Sequence, residues 1–103
     1  MNLVTKQAKF AQMVALLLLY ADRLGHKVTF GDCYRYPDCP YGHPDSLHKS
    51  RLAIDLNLFI DGKYVTSPDG HLKMGVFWES IGGSWGGRFG DANHYSLEHE
   101  GRK

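Results

Sequence analysis

The chain has 103 residues, 43% of them apolar and 22% charged, with twelve Lys and Arg against eleven Asp and Glu. This balance excludes a disordered segment and predicts one ordinary domain over residues 1–103, burying roughly 65% of the surface its unfolded form exposes. A net charge of +1 supplies no global field to gather phosphates or anionic lipid, so neither nucleic-acid binding nor a membrane-surface role is expected.

Phe10, Val14, Leu17, Ala21 and Leu24 recur at spacings of three and four, with Lys6, Lys9, Gln12, Asp22 and Arg23 mostly between them. The pattern predicts an amphipathic helix over residues 5–24, capped by Thr5 and ended by Gly25. Its continuous apolar run, residues 13–21, has nine members, well short of the ~20 that cross a bilayer, and no membrane insertion is expected. Lys6 and Lys9 ahead of an apolar stretch imitate a secretory signal, but Tyr20-Ala21-Asp22-Arg23 lacks a small-x-small cleavage pattern, so no signal peptide is expected.

Lys27-Val28-Thr29-Phe30 alternates and predicts a short strand. Residues 31–46 hold Pro37, Pro40, Pro44 and Gly42 and read as a surface loop. Cys33 and Cys39 are too few for a disulfide scaffold and are expected to be free thiols. From Ala53 to Ile60 the chain alternates again: Ile54, Leu56, Leu58 and Ile60 share a core face, while Ala53, Asp55, Asn57 and Phe59 share a groove face. Asp61-Gly62 predicts a hairpin turn into a strand at Lys63-Tyr64-Val65. A short helix is expected over residues 74–80. Residues 75–90 carry six of the twelve glycines, which suggests tight loops around a site rather than a linker, because Trp78, Trp85, Arg88 and Phe89 stand among them.

An Asp among aliphatic neighbours needs a hydrogen bond, an ion pair or a metal to be kept out of water. Asp55 is such a residue, with His48 just before its strand. Asp91 and His94 stand three apart, on one side of a turn. A catalytic zinc takes three protein ligands and a nearby base, and His48, Asp55 and His94 as ligands with Asp91 as base form one such set. Six histidines and eleven acids allow others.

The segment Ser46-Leu47-His48-Lys49-Ser50-Arg51-Leu52-Ala53-Ile54-Asp55-Leu56 resembles the S-x-H-x-x-G-x-A-x-D signature of the D-alanyl-D-alanine carboxypeptidase-type zinc peptidases, which include phage L-alanyl-D-glutamate endolysins. Asp91-Ala92-Asn93-His94-Tyr95 resembles their E/D-x-x-H-aromatic motif, and the likeness extends over about residues 30–96 in matching order. The resemblance implies an α+β fold of the hedgehog/DD-peptidase kind, a small antiparallel sheet packed against an N-terminal helix with Zn2+ in a groove on the sheet. It implies His48, Asp55 and His94 as zinc ligands, Asp91 as the catalytic carboxylate, Arg35 as a catalytic and substrate-binding arginine, and Ser46 as a hydrogen-bonding residue of the site. Tyr95, with Trp78 and Trp85, is a candidate wall of the substrate cleft, although Trp78 is favoured as core. Two departures stand out. Arg51 occupies the motif's glycine position, so no glycine-only backbone is expected there and the added charge bears on substrate choice. Asp91 is one methylene shorter than the usual glutamate.

The expected substrate is a peptidoglycan stem peptide, cut either before a terminal D-alanine or between L-alanine and D-glutamate. The enzyme would be made in the cytoplasm as a monomer and act at the cell wall or in the periplasm, reached through a holin if it is an endolysin. Two alternatives belong to other classes: a structural-zinc module built on Cys33, Cys39, His43 and His48, and a wall-peptide-binding domain that does not cut.

Overall fold

The structure, a computed structural model, describes residues 2–43 and 45–103; Pro44 of the loop lies outside them. The first helix, α1, spans Leu3–Arg23. Asn2, not Thr5, is its N-cap: the Asn2 side chain accepts the Thr5 N–H at 2.8 Å, and Thr5 lies within the first turn. At the other end Gly25 takes φ +77° and lets the chain reverse, as expected. The stripe buried on α1 is Phe10, Met13, Leu17 and Ala21, with Val14 and Leu24 half-buried beside it.

Strand β1 covers Lys27–Phe30 and β2 covers Ala53–Ile60. Asp61 and Gly62 both adopt positive φ, 52° and 78°, a two-residue turn suited to strand twist, and lead into β3 at Lys63–Val65. The second helix, α2, runs over Pro68–Ser80, so it begins six residues before the expected start. Its signal is local: Ser67 accepts the Gly70 N–H at 3.1 Å, Pro68 fills the first turn where no N–H is needed, and Asp69 follows. Strands β4, Ser84–Trp85, and β5, His94–Ser96, complete one antiparallel sheet in the order β1-β2-β5-β4, with β3 also paired to β2. The fold is therefore α+β, two helices and a five-stranded antiparallel sheet.

Both helices lie against the face of β2 that carries Ile54, Leu56 and Leu58. Tyr20 of α1 stacks on Phe77 of α2 with ring centroids 4.3 Å apart, and Phe10 meets Trp78 edge-on at 5.8 Å. The opposite face of β2, from Asp55 onward, is left for the site. The glycine-rich stretch differs from the expected loops. A β-carbon on Gly75 or Gly87 would collide with the Trp85 indole, and one on Gly83 with that of Trp78. These glycines let two tryptophans sink into the core at 0% and 2% exposure. No helix among the described residues is long and apolar enough to cross a membrane.

Candidate metal centre

The polar side of the sheet acquires its geometry from two local devices. A 3₁₀ turn over Leu47–Ser50 precedes β2, capped by Ser46, whose Oγ accepts the His48 N–H at 3.2 Å. Arg51 ends this turn at φ 56°, ψ 37°, in the left-handed region. This overturns the expectation that position 51 needs no glycine-type backbone: the conformation is left-handed, and arginine bears its strain. The Arg51 guanidinium lies 4.0 Å over the Tyr34 ring. The turn buries the His48 ring at the head of β2.

The second device is strand register. Asp55 and His94 are directly opposed Cα partners in the β2–β5 pair, so their side chains rise together from one face. His48 Nε2 lies 3.2 Å and His94 Nδ1 3.4 Å from Asp55 Oδ1. Ligand atoms of the three residues fall within 4.8 Å of one another, the one such cluster of His, Cys, Asp or Glu among the described residues. Cys33, Cys39 and His43 are not part of this cluster. Both cysteines are unbridged, Cys33 exposed and Cys39 buried.

The outer nitrogens set the chemistry of the cluster. His48 Nδ1 stands 3.4 Å from the Cys33 carbonyl, and His94 Nε2 stands 3.1 Å from the main-chain oxygen of Lys103. Each outer N–H donates to an oxygen, so in the neutral ring each inner nitrogen turns a lone pair toward Asp55. Asp55 Oδ1 is buried without a hydrogen-bond partner. Two imidazole lone pairs and a carboxylate oxygen facing one point repel each other unless a cation or protons stand between them. Two nitrogens and one oxygen also form a usual donor set for catalytic zinc. The residues fit a divalent metal.

In the protein alone, protons on the inner nitrogens take the cation's place. Burial would raise the Asp55 carboxyl, but hydrogen bonds and charge from the two imidazoles outweigh it and hold its pKa at about 2. Burial would lower His94, yet Asp55, the Lys103 oxygen and Asp91 together raise it.

Arg35 reaches the site from the loop after β1. Its Nε donates to Asp32 Oδ2 at 2.9 Å, Nη1 approaches Ser46 Oγ at 3.5 Å, and Nη2 lies 3.7 Å from Asp55 Oδ2. The guanidinium thus secures the second oxygen of Asp55 while facing the cleft. Asp91 sits at the rim, its side chain 55% exposed and its Oδ2 3.8 Å from His94 Nδ1. Its N–H donates to the Gly86 carbonyl at 2.8 Å, and its own carbonyl accepts the His94 N–H at 3.1 Å. Arg35, Ser46, His48, Asp91 and His94 line one cleft of about 620 Å³, the size range of small-ligand sites.

Tyr95 is not part of that cleft. Strand alternation turns it away from His94, and it lies fully buried with its hydroxyl 2.8 Å from His71 Nδ1. The expected substrate contact at Tyr95 is corrected to a core role, and Trp78 on α2 and Trp85 on β4 are likewise buried in the core. Sequence reasoning missed Asp32, although its i,i+3 spacing to Arg35 was a usable signal. It also missed the Lys103 main-chain oxygen, which no residue type announces. No family model matches the chain, and no curated protein matches it.

Proposed function

We propose that this protein is a zinc-dependent peptidase of the D-alanyl-D-alanine carboxypeptidase type, hydrolysing peptidoglycan stem peptides in wall lysis or remodelling, with the phage endolysin role included. The observation that carries the reading is the convergence of His48 Nε2, Asp55 Oδ1 and His94 Nδ1, with both outer imidazole nitrogens already on oxygens. The left-handed backbone at Arg51 supports it too, being the conformation that the motif's glycine favours. So does the position of the three residues in a groove on the sheet, as in a hedgehog/DD-peptidase arrangement.

His48, Asp55 and His94 would hold the ion. Bound there, zinc supplies Lewis acidity that polarises a peptide carbonyl and acidifies water. The rest falls to side chains. Asp91, largely solvated at the rim beside His94, accepts a proton from the attacking water and returns it to the leaving amine. Arg35 holds Asp55 from behind and offers positive charge to a substrate carbonyl or carboxylate entering past Ser46.

The test is digestion of purified peptidoglycan with and without a chelator, with mass spectrometry of the released fragments. Chelation is expected to abolish cutting and added zinc to restore it, and the fragment masses identify the bond. Cutting that survives chelation in full removes the zinc reading. Retention on the wall polymer with no fragments released replaces it with a binding domain.

A further inference from the structure

Resting on the zinc reading above, we infer that residues 98–103 form a strap that positions the ligand His94 through the main-chain oxygen of Lys103, with Arg102 as the positioning residue that holds the strap in place.

With the metal held at Nδ1 beside Asp55, the ring proton of His94 resides on Nε2 and needs an acceptor, and the Lys103 oxygen at 3.1 Å provides it. That oxygen is fixed from a second direction. Ser96, two residues beyond His94 and on the same face of β5, donates its Oγ–H to it at 2.9 Å. The acceptor therefore has a defined place relative to the strand that carries the ligand.

The strap is also tied to the other ligand-bearing element. His99 and Arg102 exchange main-chain hydrogen bonds at 3.0 and 2.9 Å, closing a turn in which Glu100 and Gly101 both take positive φ. From this turn the Arg102 guanidinium donates to the Asp45 carbonyl at 3.1 Å and approaches Ser50 Oγ at 3.4 Å. Residues 45 and 50 bracket the turn that carries His48. Lys6 of α1 adds a third tie, Nζ to the Glu98 carbonyl at 2.9 Å. One arginine thus links the turn that presents His48 to the segment that orients His94. Its acceptors are neutral oxygens, so the clamp is directional rather than a salt-sensitive ion pair. An oxygen on the outer N–H fixes a ligand imidazole's tautomer and rotation and raises its basicity, and loss of such a partner weakens metal affinity by roughly 10–100-fold.

The experiment measures zinc affinity of the full chain by competition with a chromophoric chelator, together with the visible absorption of the cobalt-substituted protein. Arg102→Ala and Ser96→Ala are each expected to weaken zinc binding by about tenfold and to alter the cobalt spectrum. Arg102→Lys, able to reach one of the two acceptors, should recover part of the loss. Lys103→Ala keeps the main-chain oxygen and should bind zinc as the parent does. Thermal unfolding of the metal-free chain should move little in Arg102→Ala, which separates positioning from a general loss of stability. Parent-like affinity and spectra in both Arg102→Ala and Ser96→Ala overturn the strap while leaving the metal reading intact. So does a loss in Lys103→Ala equal to that in Arg102→Ala, or faster hydrolysis in Arg102→Ala at unchanged affinity, the mark of a tail that plugs the cleft. A parent chain that binds neither zinc nor cobalt fails the metal reading itself.

Discussion

Arg51 holds φ 56° and ψ 37°, where a β-carbon meets the following carbonyl at a cost of about 1–2 kcal/mol. Its guanidinium recovers part of that over Tyr34. Arg51→Ala removes the stacking and keeps the strain, whereas Arg51→Gly removes both. Glycine is therefore expected to be the more stable replacement by about 1 kcal/mol in urea denaturation, the reverse of its rank in a helix. An alanine variant at least as stable would show that position 51 does not hold the left-handed conformation. Asp91 is tested at the same scale. With its carboxylate at the rim rather than in the donor cluster, Asp91→Asn is expected to keep its zinc and lose turnover by about 10²–10⁴-fold. Unchanged turnover would take Asp91 out of proton transfer.

Among the elements, β2 and its hairpin were legible because a period of two is short and uninterrupted from Ala53 to Ile60, with Asp61-Gly62 marking the turn. The site residues legible from their motifs, His48, Asp55, Asp91, His94, Arg35 and Ser46, do meet in one cleft or its floor. Elsewhere the readable signal was of the wrong kind. Helix α2 exceeds its expected span at the start, where the signal is the cap Ser67-Pro68-Asp69 and not an apolar period. The glycines of residues 75–90 suggest tight loops, yet several of them admit indole rings, a tertiary demand without local signature. Gly86 is the one that touches the site. A β-carbon there would collide with the Asp91 carbonyl and come within 2.7 Å of His94 Cβ. Gly86→Ala must push β5 or the Asp91 turn aside, and a loss of about 1–3 kcal/mol in stability is expected, with weaker zinc binding. Full zinc affinity in a folded Gly86→Ala chain would show that the turn is not what places His94.

For the molecule as a whole, one buried histidine ties helix α2 to two strands of the sheet, beside the bond that the Trp78 indole N–H makes to the Ser96 carbonyl at 2.9 Å. His71, fully buried on α2, stands 3.2 Å from the Val65 carbonyl at the end of β3 and 2.8 Å from the Tyr95 hydroxyl of β5. The consistent tautomer donates Nε2–H to Val65 and accepts the Tyr95 proton at Nδ1, so a second ring proton would force the buried Tyr95 hydroxyl to turn and accept, leaving its own proton to find another partner. Burial lowers the His71 pKa below its ordinary 6.5, against a smaller opposing pull from the Val65 carbonyl. Because the unfolded chain then binds this proton more tightly, the stability carried by the neutral ring is complete above about pH 6.5. It declines as pH falls below that value, by up to about 1.4 kcal/mol per unit, until the folded ring itself protonates. Glutamine can make both hydrogen bonds and cannot titrate. His71→Gln is therefore expected to lose little at pH 8 and to show a shallower fall in unfolding free energy between pH 6.5 and 5 than the parent, measured by urea denaturation across that range in metal-free protein. All other groups are common to both chains, so the difference between the two curves isolates His71; parallel curves would mean that His71 carries no linked proton.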